Sequence, residues 1–283
     1  MRSQDFEELR KFYKHRLALN YGDDSNKETP EYWDSMAEIY AKKAHSPIER
    51  QNSEDFLNRF TWEKDETILD VACGPGTFAI PLAKRGCQIL ATDFSAEMLH
   101  QLKLQAEKEN CHSIDCIQGR WLELKLQKQF DTVLCMSGLG VISTDSNHNA
   151  RLGETLDLLY KSARKRLIIL IPHADSHLDD EMRNILGEND VPTERLRIAM
   201  IYYAMVDHGM LPSLQIIRRP FKWFFKNTDE ACETLLKKSG IKNVSQERLE
   251  LFKEYISKLL QKDDSGKLTL NYPTSQALFI IER

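Results

Sequence analysis

The sequence has no long apolar run and no strong excess of charge of one sign. Its longest apolar stretch, "LIILIP" from Leu167 to Pro172, is far too short to cross a bilayer and reads as a buried strand. The N-terminal "MRSQDFEELRKFYKHR" is charged throughout, so no signal peptide is expected there. The formal net charge is −4 over 283 residues, which leaves no global basic field. A nucleic-acid or membrane partner would therefore need a local patch. Cysteine is sparse as well: there are six, and none stands in a C-x-x-C pair. They read as reduced, mostly buried thiols of a cytoplasmic protein. "CHSIDC" (Cys111 to Cys116) offers two sulfurs and an imidazole, but no second half-site follows, so no metal is expected. Repeats and low-complexity segments are also lacking.

What is present is an ordinary globular composition, 41% apolar and 29% charged. Residues 1–60 read as a polar, helical N-terminal extension. Within it, "EYWDSMAEIYAKKA" sets Trp33, Met36, Ala37 and Tyr40 at helical spacing, and "NSEDFLNRF" reads as a short helix capped by Asn52 or Ser53. Across residues 61–172, five apolar strands alternate with helical patterns. This predicts an α/β domain with a doubly wound, mostly parallel, seven-stranded Rossmann-like sheet. Residues 173–226 form a long insertion at the open edge of that sheet, where long excursions are often lids. Residues 227–283 return to the core sheet through helices and the closing strand "QALFIIE".

The segment "LDVACGPGTFA", Leu69 to Ala79, runs strand, glycine-rich turn, helix. Glycines let a ligand approach the backbone, and free N–H groups at a helix start favour electron-rich groups. The spacing also fits G-x-G-x-x-A, which leaves a nicotinamide dinucleotide open. Asp70 separates the two readings. A carboxylate beside the turn repels pyrophosphate, whereas it welcomes the ammonium of an amino-acid group such as that of S-adenosylmethionine. Asp93, ending the next strand in "ATDFS", can accept hydrogen bonds from ribose hydroxyls in either case.

On Asp70–Thr77 and Asp93, with "FDTVLCMSGLGVI" (Phe130 to Ile142) as the fourth strand, the chain resembles the class I S-adenosylmethionine-dependent methyltransferases over residues 62–172 and 277–282. The resemblance implies S-adenosylmethionine as cofactor. Asp70 would hold the methionine ammonium, and Ala72, Cys73, Gly74, Pro75 and Gly76 would line the methionine and ribose. Asp93 would take the ribose hydroxyls, and Phe94 and Met98 would lie by the adenine. The family often places an acid near the adenine amino group after the third strand. Here "CIQGRWLEL" puts Arg120 there, followed by Trp121. Met136 would close the site from the fourth strand.

The acceptor is less legible. "CMSG" (Cys135 to Gly138) stands where methylases of amide or base nitrogens carry Asn/Asp-Pro-Pro-aromatic, which counts against that chemistry. "IPHADSH" brings His173, Asp175 and His177 to the open edge; His173 is the candidate base or substrate contact, and the bland alternative is a polar helix cap. Met200, Tyr202, Tyr203 and Met205 would suit an apolar acceptor pocket or simply form core. Trp33 and Tyr40 either close over the cofactor or dock their helix. "RRPFKWFFK" (Arg218 to Lys226) either stacks on single-stranded nucleic acid or buries Phe221, Trp223 and Phe225 on one strand face. "KSARKR" (Lys161 to Arg166) reads as a solvated turn. The expectation is a methyltransferase acting on a small-molecule acceptor, with no membrane partner; a nucleic-acid partner is disfavoured but left open. A NAD(P)-dependent oxidoreductase and a non-catalytic S-adenosylmethionine-binding protein are the alternatives.

Overall fold

The computed structural model describes residues 29–126, 128–147, 151–173, 178–187, 193–219, 222–239, 244–263, 266–271 and 274–283. The chain begins with helices α1 (Pro30–Ala44) and α2 (Pro47–Leu57). Then come β1 (Thr67–Val71), α3 (Ala79–Lys84), β2 (Gln88–Asp93), α4 (Ala96–Lys108), β3 (Ile114–Gln118) and β4 (Phe130–Met136). Next are the single turn α5 (Leu139–Ile142), α6 (Leu152–Ser162), β5 (Ala163–His173), α7 (Asp180–Leu186), α8 (Thr193–Asp207), β6 (Ser213–Arg219) and β7 (Lys222–Phe225). The chain closes with α9 (Thr228–Ser239), α10 (Gln246–Leu259), β8 (Gln261–Lys262), β9 (Leu268–Asn271) and β10 (Thr274–Glu282).

Seven strands form one sheet in the order β3-β2-β1-β4-β5-β10-β6, and β1 to β5 pair in parallel. The expected doubly wound α/β sheet is therefore present. Its order runs outward from β1 in one direction and from β4 in the other, so the crossovers diverge between these two strands. A crevice opens there beyond the carboxyl ends, where ligands collect in such sheets. Ile68, Leu69, Val133, Leu134, Leu167 and Ile168 are fully buried, as strands covered on both faces require.

Two compact units are distinguished: 1–171 with 200–214 and 278–283, and 172–199 with 215–277. The second unit has its own core, in which Met182, Leu235, Phe252, Ile256 and Leu270 are buried together. It also contains a three-stranded sheet, β7-β9-β8, whose pairs are antiparallel. Trp223 and Phe225 stack on each other with ring centroids 6.2 Å apart, and Phe225 is buried. Their side chains take the buried-face alternative; Phe221 lies outside the described residues.

The N-terminal helices differ in detail from the sequence reading. The buried stripe of α1 is Ala37, Ala41 and Ala44, while Tyr40 is exposed. Small residues let α1 approach its neighbour closely, which the larger Trp33–Tyr40 side cannot. Helix α2 starts at Pro47 behind the N-cap Ser46, so Asn52 and Ser53 lie inside it. A proline at the first helical position costs no hydrogen bond, and Ser46 Oγ accepts the Glu49 N–H.

"KSARKR" is not a solvated turn. Its last four residues open β5, and each of its cations there meets an acid from far away in sequence. Arg164 lies 3.3 Å from Asp131, Lys165 3.0 Å from Glu63 and Arg166 3.0 Å from Glu66. Arg166 also covers the Trp62 ring at 4.5 Å.

On the other side of the unit, Glu109 gathers Arg50 of α2, Lys84 of α3 and Gln105 of α4. Burial would raise its pKa, but these hydrogen bonds and the Arg50 charge outweigh burial and hold it at about 2. A carboxyl depressed in the folded state stabilises above its unfolded pKa, and that contribution is lost as pH falls through the folded value. Glu109→Gln is therefore expected to lower stability at neutral pH by about 1 kcal/mol, a figure discounted because Arg50 and Lys84 are 42% and 47% exposed. Urea unfolding should show the gap closing between about pH 4.5 and pH 2.

Candidate functional site

The turn after β1 is built by its own backbone. Cys73 N–H donates to the Thr92 carbonyl at 3.1 Å, and Gly76 N–H returns to the Cys73 carbonyl at 3.1 Å. Gly74 and Gly76 take φ of 54° and 89°. A Cβ at Gly76 would strike Leu102 of α4 at 2.3 Å, whereas one at Gly74 would meet nothing within 4 Å. Gly76 thus packs the turn on the helix, and Gly74 faces open space.

Asp93 ties the two loops together. One of its oxygens accepts the Gly74 N–H at 2.9 Å, and the other accepts the Ser95 N–H at 3.0 Å. Burial raises its pKa, against the pull of these backbone donors. Asp70, on β1, is 1% exposed, and neither of its oxygens has a hydrogen-bond partner among the described residues. Burial, with the nearby Asp93 charge, pushes it up to about 8.

The crevice is walled by Val71 at the end of β1 and Ala72 after it, by Thr92 and Asp93 at the end of β2 with Phe94 after it, and by Gly119, Arg120 and Trp121 after β3. Val141, Ile142 and Thr144, following β4, complete it. The Arg120 guanidinium lies 5.2 Å over the Phe94 ring. Trp121 is buried and its indole N–H has no partner among the described residues.

Of the residues expected from sequence, the structure brings Ala72, Asp93, Phe94, Arg120 and Trp121 into one wall, with Gly74 bonded to Asp93. Cys73 and Met98 are buried beside it, and Met136 is half-buried at the end of β4. Met200 and Met205 are buried, and neither they nor Tyr202 and Tyr203 wall this crevice. His173 ends β5, but its side chain, Asp175 and His177 lie outside the described residues.

Sequence reasoning gave no role to Asp34 of α1 or to His45, which caps its C-terminus. Asp34 Oδ1 accepts the Ser95 hydroxyl at 2.6 Å and the Glu97 N–H at 3.1 Å, capping α4 from outside. His45 Nε2–H donates to the Pro75 carbonyl at 3.0 Å, and burial lowers its pKa, keeping it neutral. Helix α1 therefore grips both the Asp93 loop and the glycine turn. Trp33 and Tyr40 contact each other edge-on at 5.4 Å within α1, and neither walls the crevice.

Ala72 and Ser137 hold φ of 55° and 67°, unusual for residues with a side chain. They are the first residues after β1 and β4, the two strands that flank the crevice. A Cβ on Gly138 would come within 2.5 Å of the Ala72 Cβ, so these turns are in contact. Backbone strain of this kind clusters at functional sites.

The orphaned Asp70 carboxylate and the open space above Gly74 suit a ligand that carries an ammonium close to the backbone. A pyrophosphate would meet two buried acids.

Comparison with known proteins agrees. A family model described as a methyltransferase domain matches residues 68–161. An uncharacterised protein of Haemophilus influenzae is 27% identical over 188 residues, 66% of this chain and 65% of that protein. A ubiquinone biosynthesis O-methyltransferase of Acinetobacter baylyi is 29% identical over 107 residues, 37% of this chain and 44% of that one. A 23S rRNA (uracil(1939)-C(5))-methyltransferase of a Shewanella species is 38% identical over 55 residues, 19% of this chain and 12% of that protein. The chain thus spans less than two thirds of the length of each of these curated relatives. The glycine turn and strands β2 to β4 thus lie within a segment that matches a methyltransferase domain.

Proposed function

We propose that the protein transfers the methyl group of S-adenosylmethionine to a small-molecule acceptor by in-line displacement. The observation that carries the cofactor reading is the pair of buried acids. Asp93 is fastened to the glycine turn, and Asp70 lies beside it without a partner among the described residues. The bound sulfonium supplies an electrophilic methyl carbon and a neutral leaving group. The chain's own residues orient and desolvate. Asp93 keeps lone pairs for both ribose hydroxyls, Phe94 and Trp121 flank the base, and Asp70 faces the ammonium. An acceptor that carries a proton must lose it, and His173 is the candidate to take it.

Three observations favour a small acceptor over nucleic acid. The net charge is −4, the cations opening β5 are paired with acids, and Trp223 and Phe225 stack on each other. The O-methyltransferase relative is named for ubiquinone biosynthesis.

Calorimetric titration should show S-adenosylmethionine and S-adenosylhomocysteine binding and NADH not binding; the reverse pattern overturns the cofactor reading. Methyl-labelled cofactor, incubated with the protein and a cell extract, should then label the low-mass fraction after ultrafiltration. Label confined to an RNase-sensitive, high-mass fraction would overturn the small-acceptor reading.

A further inference from the structure

Two carboxylates share the dry end of β1 and β2, and they are not equivalent. Asp93 receives two backbone N–H donors, which favour its charged form. Asp70 receives none from the described residues and is 1% exposed. A charge there would be desolvated, unbonded and beside another negative charge. When two acids are so placed, the proton stays on the one with fewer donors.

Among the described residues, the surroundings offer Asp70 no counter-charge. On β2 its titratable neighbour is Asp93. In the turn lies Cys73 and on β4 lies Cys135, both thiols pushed up by burial and so neutral. From α1, Asp34 and His45 are engaged with Ser95 and Pro75. Among the described residues none supplies the cation that would balance Asp70, and a ligand's ammonium can supply it.

Resting on the cofactor reading above, we propose that Asp70 is protonated in the free protein and surrenders its proton when the cofactor's ammonium enters. Binding is then coupled to proton release. Affinity rises with pH while free Asp70 is protonated and bound Asp70 is ionised. The raised pKa of Asp70, about 8, sets the upper end of that window. Atoms balance simply: the carboxylic acid loses one proton to buffer, and the carboxylate and ammonium remain as an ion pair, direct or bridged by water.

The test is calorimetry of S-adenosylhomocysteine binding at about pH 6.5 in two buffers of contrasting ionisation enthalpy, which counts protons released. About one proton per cofactor is expected, with Kd falling about tenfold per pH unit between about pH 6 and 7. 5′-Methylthioadenosine carries the same nucleoside without the ammonium and should release almost none. Asp70→Asn should bind with no proton release. Binding of S-adenosylhomocysteine with no proton exchange overturns the coupling and leaves the cofactor reading standing. Equal release with 5′-methylthioadenosine also overturns it, by assigning the proton to another group, and this arm holds even if the variant fails to fold. Absence of any binding overturns the cofactor reading itself.

Discussion

Asp93→Ala is expected to weaken S-adenosylhomocysteine binding by at least about 100-fold, or about 3 kcal/mol. Two losses combine. The ribose hydroxyls lose their acceptor, and a buried hydrogen bond to charge is worth about 1.5–3 kcal/mol. The Gly74 N–H also loses its partner at 2.9 Å, so the turn that shapes the site is released from the β2 loop. Asp93→Asn separates these effects. It keeps an acceptor for one backbone donor but not for both, so it should lie between the alanine variant and the native protein. Titration calorimetry on all three, with far-ultraviolet circular dichroism to confirm folding, reads the result. Unchanged affinity in Asp93→Ala would remove the ribose assignment.

Asp70→Asn should raise the melting temperature of the cofactor-free protein, and the gain should grow with pH. The sign follows from linkage. The folded value, about 8, lies above the ordinary 3.8. Stability from this group is complete below about pH 4 and is lost progressively as pH rises towards 8, because the unfolded carboxyl ionises while the folded one resists. Asparagine has the same shape and no such slope. A gain of about 5 °C or more near pH 7.5, shrinking to little near pH 5, is expected by differential scanning calorimetry. Equal melting temperatures at both pH values would mean that the native carboxylate finds a partner when free. A site residue that destabilises its own fold is a familiar trade between function and stability.

Much of this was written locally. β1 to β5 each announced themselves by short apolar runs between helical patterns, and the glycine turn was bounded by its own acids. Local period and turn chemistry need no knowledge of distant residues. What stayed hidden depends on partners far along the chain. The Gly74–Asp93 bond spans 19 residues, His45 to Pro75 spans 30 and Asp34 to Ser95 spans 61. Nothing in α1's sequence says that its Asp34 will cap another helix. The cations after Ser162 looked solvated because their acids, Glu63, Glu66 and Asp131, lie in other segments. β8 and β9 were missed for a different reason. Two and four residues are too few to show a period, and their pairing is made only by the hairpin-like sheet they join. The start of α2 was missed although Ser46-Pro47 is a standard opening, because the apolar pattern begins later.

The contact between Ala72 and Gly138 has a consequence for how the site can vary. The turns after β1 and β4 have room for a single methyl group between them, and in this chain the first turn holds it. Ala72 bears it at φ 55°, where an alanine costs about 1–2 kcal/mol relative to glycine. The two positions therefore behave as one letter spelled across two strands. Moving the methyl to position 138 is a lateral step that also relieves the first turn, whereas adding a methyl at 138 while Ala72 keeps its own would force the two turns apart.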